Sequence, residues 1–183
     1  MKKNKLLIYG LVAIIFGAIG AWYGTRHKAE APPPITATVA PNVTGPSKAL
    51  YSQRMMDVNG VEQQLAQWQG KNLLVNFWAP WCAPCVEEMP ELSELQTASA
   101  GKNLQIIGIG IDSQANIAEF AQRMKITYPL YVGGIGGSDL SRTFGNTQGG
   151  LPFTVLIGAD GQVKKTYLGR LKFDQLRNDL SSL

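Results

Sequence analysis

Leu73 to Trp78 is an apolar run interrupted only by Asn76, and four residues beyond it stand Cys82-Ala83-Pro84-Cys85, the only two cysteines in 183 residues. A short, nearly continuous apolar run is the pattern of a strand buried on both faces. Pro84 suits a first helical turn, where its missing N–H costs no intrahelical bond. A buried strand feeding a helix directly commits the chain to an α/β architecture with helices laid over a sheet. It also places the first sulfur at a helix N-terminus, where unpaired N–H groups and the helix dipole favour the thiolate. Two cysteines three positions apart cannot form a structural disulfide scaffold, and a chain of this length does not need one. They read as a redox pair.

The flanking pattern alternates. Leu50 to Val58 reads as a short strand or hairpin, and Val61 to Trp68 as a first helix with Val61, Leu65 and Trp68 on one face, ended by Gly70. The helix opened by the cysteines runs through Glu87, Leu92 and Leu95 toward Gly101, with Pro90 expected to kink it. Gln105 to Ile111 reads as a strand. Asn116 to Lys125 is an amphipathic helix with Ile117, Phe120, Ala121 and Met124 on one side, and Tyr128 to Val132 is extended. Ser138 to Phe144 suits another helix. Phe153 to Ile157 and Val163 to Leu168 are strands joined by Asp160-Gly161, a two-residue hairpin signal, and Phe173, Leu176, Leu180 and Leu183 mark a final helix. Helix-linked strands closed by a hairpin predict a mixed sheet covered on both faces.

The first 48 residues differ in kind. Leu6 to Tyr23 is uncharged, preceded by Lys2, Lys3 and Lys5 and followed by Arg26, His27 and Lys28. It is long enough to span a bilayer, and the leading positive charges favour a cytoplasmic N-terminus with the rest of the chain outside, in the periplasm. Trp22 and Tyr23 suit the interfacial end of an anchor. The rival reading is a cleaved signal peptide, with Ala18 and Gly20 as the small residues, which would leave a soluble periplasmic protein. Ala29 to Lys48 carries five prolines and no sustained periodicity, so it reads as an extended spacer. The expected organisation is an anchor over residues 1–28, a linker over 29–48 and one domain over 49–183. The net charge of +4 is largely set by the three leading lysines, leaving no basic stripe for nucleic acid.

The run VNFWAPWCAPC, the Leu151-Pro152 pair ahead of a strand and the Asp160-Gly161 turn after it resemble the thioredoxin superfamily. The anchor, the hairpin-like entry and the inserted segment from Asp112 to Tyr131 resemble, more narrowly, its membrane-anchored TlpA/ResA-like thiol-disulfide oxidoreductases, which include reductases of cytochrome c maturation. The resemblance implies a thioredoxin-like fold and exchange of protein disulfides. No cofactor is implied beyond the Cys82/Cys85 disulfide, and the expected partners are protein disulfides and an upstream membrane electron donor.

Residue roles follow from position and resemblance together. Cys82, at the helix start, is the expected nucleophile, and Cys85, one turn deeper, the resolving thiol. Neutral Ala83 and Pro84 lean toward a reductant, because a strongly oxidising site needs extra stabilisation of its thiolate. Glu88, three residues past Cys85 on the same face, matches a glutamate of ResA-like reductases; burial there would raise its pKa and let it exchange a proton with Cys85. Without that match, Glu87 and Glu88 both read as solvated. Thioredoxins usually place an aspartate six residues before the first cysteine, where this chain has Asn76. Leu151-Pro152 matches the superfamily's cis proline, which would present the Leu151 backbone to an extended partner and keep metal from the thiols. Gly149 and Gly150 leave room for close approach, or form an ordinary turn. Trp81 either shields the sulfur pair and meets substrate or is a partly buried aromatic with no chemical role. Asp112 reads as a helix cap rather than a site residue.

Other classes fit less well. A peroxidase of peroxiredoxin type wants a threonine one turn before a lone cysteine, but residues 78 and 79 are Trp and Ala. A copper(I) chaperone would have to use Cys82 and Cys85 alone, since the only histidine, His27, lies beside the membrane segment. A Cys-His hydrolase is excluded by the same histidine.

Overall fold

The computed structural model describes residues 45–183. The expected membrane segment, residues 6–23, and nearly all of the spacer lie outside them. Among the described residues no helix is long and apolar enough to cross a membrane.

A five-stranded sheet in the order β5-β4-β3-β6-β7 organises the domain. Its strands are β3 (Asn72–Trp78), β4 (Leu104–Gly110), β5 (Leu130–Val132), β6 (Phe153–Ile157) and β7 (Val163–Leu168). The first three run parallel, β6 is antiparallel to β3, and β7 is antiparallel to β6. The apolar run Leu73 to Trp78 is buried throughout because it occupies the middle of this sheet with side chains packed on both faces. Leu74, Trp78, Met89, Leu92, Ile117, Phe120 and Leu176 fill one side, and Leu73, Val75, Phe77, Ile107, Ile109, Leu140 and Phe144 the other. The first side is covered by α2 (Ala83–Ala98), α3 (Gln114–Met124) and α5 (Phe173–Ser181), the second by α1 (Pro46–Tyr51) and α4 (Gly134–Thr143). Pro90 lies within α2, which continues past it to Ala98. The segment from Asp112 to Tyr131 supplies α3 and most of edge strand β5.

The entry differs from expectation. Pro46–Tyr51 is a helix rather than the end of the spacer, opened by Pro46 in its first turn after Gly45 at φ 67°. Val61 to Trp68 is not a helix. Glu62–Gln64 forms β2, paired antiparallel with β1 (Arg54–Met56), and Leu65–Trp68 is one 3-10 turn. The helical spacing of Val61, Leu65 and Trp68 misleads because only Leu65 is fully buried, while Val61 is exposed beyond the strand pair. The β6–β7 connection is five residues, 158–162, not a two-residue turn. Gly158 N–H donates to Gln162 and Gly161 N–H to Gly158, with Gly161 at φ 77°.

Candidate active site

The site lies at the sheet end where β3 stops and α2 begins. Cys82 is the N-cap of α2, and it forms a disulfide with Cys85. Cys85, Glu88, Met89 and Leu92 form the buried stripe of α2, the i, i+3, i+4, i+7 pattern by which a helix packs on a core. Cys82 is 6% exposed at the helix start, while Cys85, three residues and nearly one turn further on, is fully enclosed. Cys82 is therefore the less enclosed residue of the pair. Ala83 and Pro84 are exposed and uncharged.

The same stripe carries Glu88 into the interior. Its carboxylate is fully buried and held at both oxygens: Asn76 Nδ2 donates to Oε1 at 2.7 Å and the Leu171 N–H to Oε2 at 2.8 Å. Burial pushes its pKa up to about 7, against the opposing pull of those two donors and of the Arg170 charge. Glu87, one residue earlier, points out and pairs with Arg170 at 2.8 Å, both side chains exposed. Asn76, on the central strand, is thus a hydrogen-bond donor to an acid carried by the helix. Asn76 Nδ2 also donates to Thr154 Oγ1 at 3.0 Å, because Asn76 and Thr154 are register partners on β3 and β6.

The Leu151–Pro152 peptide bond is cis, and Pro152 is buried with its carbonyl accepting from the Gly169 N–H at 2.8 Å. Leu151 is half-buried against the cluster that holds the cysteines. Asn146 clasps this loop: Nδ2 donates to the Gly150 carbonyl at 2.9 Å, and its Oδ1 accepts from the Gly150 N–H at 3.1 Å. A Gly150 Cβ would come 3.0 Å from Leu168 Cδ1, so glycine lets the loop lie against the end of β7. Trp81 is 68% exposed. Its ring stands in solvent, so it is not a partly buried aromatic packed beside the cleft.

Asn146, Thr154, Arg170 and Leu171 were not among the residues singled out from sequence. Asn146 carried a local signal, an Asn between glycine-rich turns that can hydrogen-bond its own backbone. The Leu171 contribution is a main-chain N–H 83 positions from Glu88 and has no side-chain signature. Asp112 stays out of the site: the cap of α3 is Ser113, which accepts from the Asn116 N–H, while Asp112 Oδ1 accepts from Ser113 N–H and Asn116 Nδ2.

The redoxin family model matches residues 36–180. The chain is 28% identical to the thiol-disulfide oxidoreductase ResA of Geobacillus thermodenitrificans over 186 residues, covering 100% of this chain and 99% of that protein. A crystal structure of a thioredoxin-family thiol:disulfide interchange protein from Chlorobium tepidum is similar with a TM-score of 0.62 and 26% identity, over 72% of this chain and 92% of that one. A secreted disulfide oxidoreductase of Mycobacterium tuberculosis shares the fold at a TM-score of 0.62 and 21% identity, over 74% and 98% of the two chains. The two solved structures share the fold described above.

Proposed function

The chain belongs to the redoxin family, as a ResA-like thiol-disulfide oxidoreductase of the thioredoxin superfamily, and from that membership we propose that it reduces protein disulfides outside the cytoplasm. The observation that carries the reading is the pairing of the less enclosed Cys82 at a helix N-terminus with an enclosed Cys85 and a buried Glu88 titrating near neutrality.

In the reduced form the Cys82 thiolate attacks one sulfur of a partner disulfide. A bond forms between Cys82 and that sulfur, and the partner's other sulfur leaves as a thiolate. Cys85 then gives its proton to the Glu88 carboxylate and attacks Cys82, which closes the Cys82–Cys85 disulfide and releases the partner's second thiolate. Two electrons pass to the partner, whose thiolates take up protons. The cycle uses no cofactor beyond this disulfide, and a dithiol donor in the membrane returns the electrons. The roles of Leu151 and Pro152 are to present main chain to an extended partner, and Trp81 lies where it meets that partner. The uncharged Ala83-Pro84 pair supports the reducing direction, since it adds nothing to the stability of the thiolate. Leu6 to Tyr23 is the anchor, placing the domain in the periplasm, where disulfides persist and a reductant must be supplied. A role of the cytochrome c maturation type fits that placement.

Cys85→Ser tests the assignment. It should trap a mixed disulfide between Cys82 and partner protein, resolved by added dithiol. Trapping through Cys82→Ser instead would reverse the roles of the two sulfurs.

A further inference from the structure

Among the described residues, six buried polar side-chain atoms have no hydrogen-bond partner, and three of them, Asn76 Oδ1, Trp78 Nε1 and the Tyr128 hydroxyl, belong to the side of the sheet that α2 covers. Buried polar groups are nearly always paired, because an unpaired one carries its whole desolvation cost. Three such atoms on one side of one sheet call for a reason.

Thr154, Asn76, Gly108 and Leu130 are successive register partners on β6, β3, β4 and β5, so they form one row across the sheet. Asn76 and Trp78, two positions apart on β3, point to the same face. Asn76 sends Nδ2 to Thr154 and to Glu88, which turns Oδ1, on the other arm of the amide, toward Gly108. Gly108 itself contributes no side chain. A Cβ there would lie 3.0 Å from Trp78 Nε1 and 3.3 Å from Tyr128 Cε2, so both rings close over the glycine, next to Asn76 in the row. The main chain around Tyr128 is fixed on either side of it. Thr127 Oγ1 donates to the Ser93 carbonyl of α2 at 3.2 Å, and the Gly108 N–H donates to the Pro129 carbonyl at 2.9 Å.

Tyr128 is 4% exposed. Burial first, and the Glu88 charge second, push its pKa well above the ordinary value, so the phenol keeps its proton. The same field that opposes loss of that proton favours an O–H dipole turned toward the carboxylate, and the hydroxyl has no other acceptor to hold it elsewhere. The titratable and charged groups that face Glu88 are Cys85 on its own helix, Arg170 after β7 and Tyr128 before β5. Asn76 and Thr154 beneath it do not titrate.

We propose that Tyr128 is a positioning residue of the exchange reaction, its otherwise unpaired hydroxyl favouring the ionised form of Glu88 from the β4 side as Asn76 and the Leu171 N–H do from β3 and the β7–α5 connection. This rests on the proton transfer between Cys85 and Glu88 proposed above. Its consequence is that Glu88 can accept the Cys85 proton at a lower pH than burial alone would allow.

The test follows the Glu88 carboxyl carbon by carbon-13 NMR against pH in full-length oxidised protein, wild type and Tyr128→Phe. Phenylalanine keeps the ring over Gly108 and removes only the hydroxyl. The wild-type midpoint of about 7 should rise in the variant by about 0.5 pH unit, a threefold gain in proton affinity. Stability at pH 5 in urea, where Glu88 is protonated in both proteins, should not fall, because the hydroxyl that is lost had no partner. In the reduced protein, the second thionitrobenzoate released from dithionitrobenzoate reports attack of Cys85 on the Cys82 mixed disulfide, and the rising limb of its pH profile should move up with the midpoint. An unmoved or lowered Glu88 midpoint in Tyr128→Phe overturns the proposal, and a loss of stability at pH 5 without that shift makes the hydroxyl a structural group instead. A wild-type Glu88 that titrates near 4.5, or a second thionitrobenzoate that is never released, would refute the exchange reading itself and the proposal with it.

Discussion

Glu88→Gln offers a quantitative test of the buried acid, best made on the oxidised protein so that neither cysteine titrates. A carboxyl that titrates at about 7 in the folded chain and at 4.5 in an ordinary setting binds more protons folded than unfolded between those values. Its folded form is therefore favoured below pH 4.5, and that advantage is lost as pH rises through 7. At about 1.4 kcal/mol per pH unit the loss is about 3 kcal/mol. Gln cannot ionise, so the variant lacks this slope. The structure also provides for the amide. The Leu171 N–H, or the Asn76 Nδ2, can still donate to the Gln oxygen, and Asn76 Oδ1, which has no partner, can accept from the Gln NH2 once the Asn76 amide turns over. Urea unfolding of oxidised wild type and Glu88→Gln at pH 5 and pH 8 should show the two close at pH 5 and the variant more stable at pH 8 by up to ~3 kcal/mol. Parallel pH dependences in the two proteins would show that Glu88 does not carry the raised pKa, and its role as proton acceptor for Cys85 would fall with it.

Arg170→Gln removes an exposed pair with Glu87 and should change stability at pH 7 by less than ~1 kcal/mol, yet move the Glu88-linked transition upward, because the Arg170 charge pulls that pKa down. An unmoved transition in the pH series of unfolding midpoints would detach Arg170 from the site. Gly108→Ala would set a Cβ 2.5 Å from Leu130 Cδ2 and 3.0 Å from Trp78 Nε1, in a layer with no slack. The expected cost is about 1–3 kcal/mol in urea unfolding, and a neutral result would mean that this layer repacks freely.

What could be read from the chain beforehand, and what could not, divides along physical lines. Phe153–Ile157 and Val163–Leu168 appear with the bounds their β-rich runs indicate, because strand patterning is local. The cysteine pair at a helix start is equally local, since strand, proline and sulfurs are contiguous. Glu88 is different. Its burial follows from the phase of α2, three residues from Cys85, but two adjacent glutamates look alike until the helix is packed and only one falls in the stripe with Met89 and Leu92. Val61 to Trp68 shows the converse, a helical spacing overridden by pairing of Glu62–Gln64 with Arg54–Met56. The Asp160-Gly161 turn is present, but the bulge between Leu156 and Ile157 and the contact of Asn72 Oδ1 with the Ala159 N–H set a longer loop that no dipeptide rule contains. Trp81 was the least legible of the site residues, since exposure of a tryptophan depends on what the surrounding loops leave uncovered.

The central claim is directional: a dithiol held ready to give electrons, with an uncharged Ala83-Pro84 turn and a buried acid to take the Cys85 proton. The reduction potential of the Cys82/Cys85 couple in the folded protein, measured against a glutathione or dithiothreitol series at pH 7, addresses it most directly. A value at or below about −220 mV, toward that of thioredoxin, is the expected result. A value near −120 mV, that of a strong dithiol oxidant, would contradict the account.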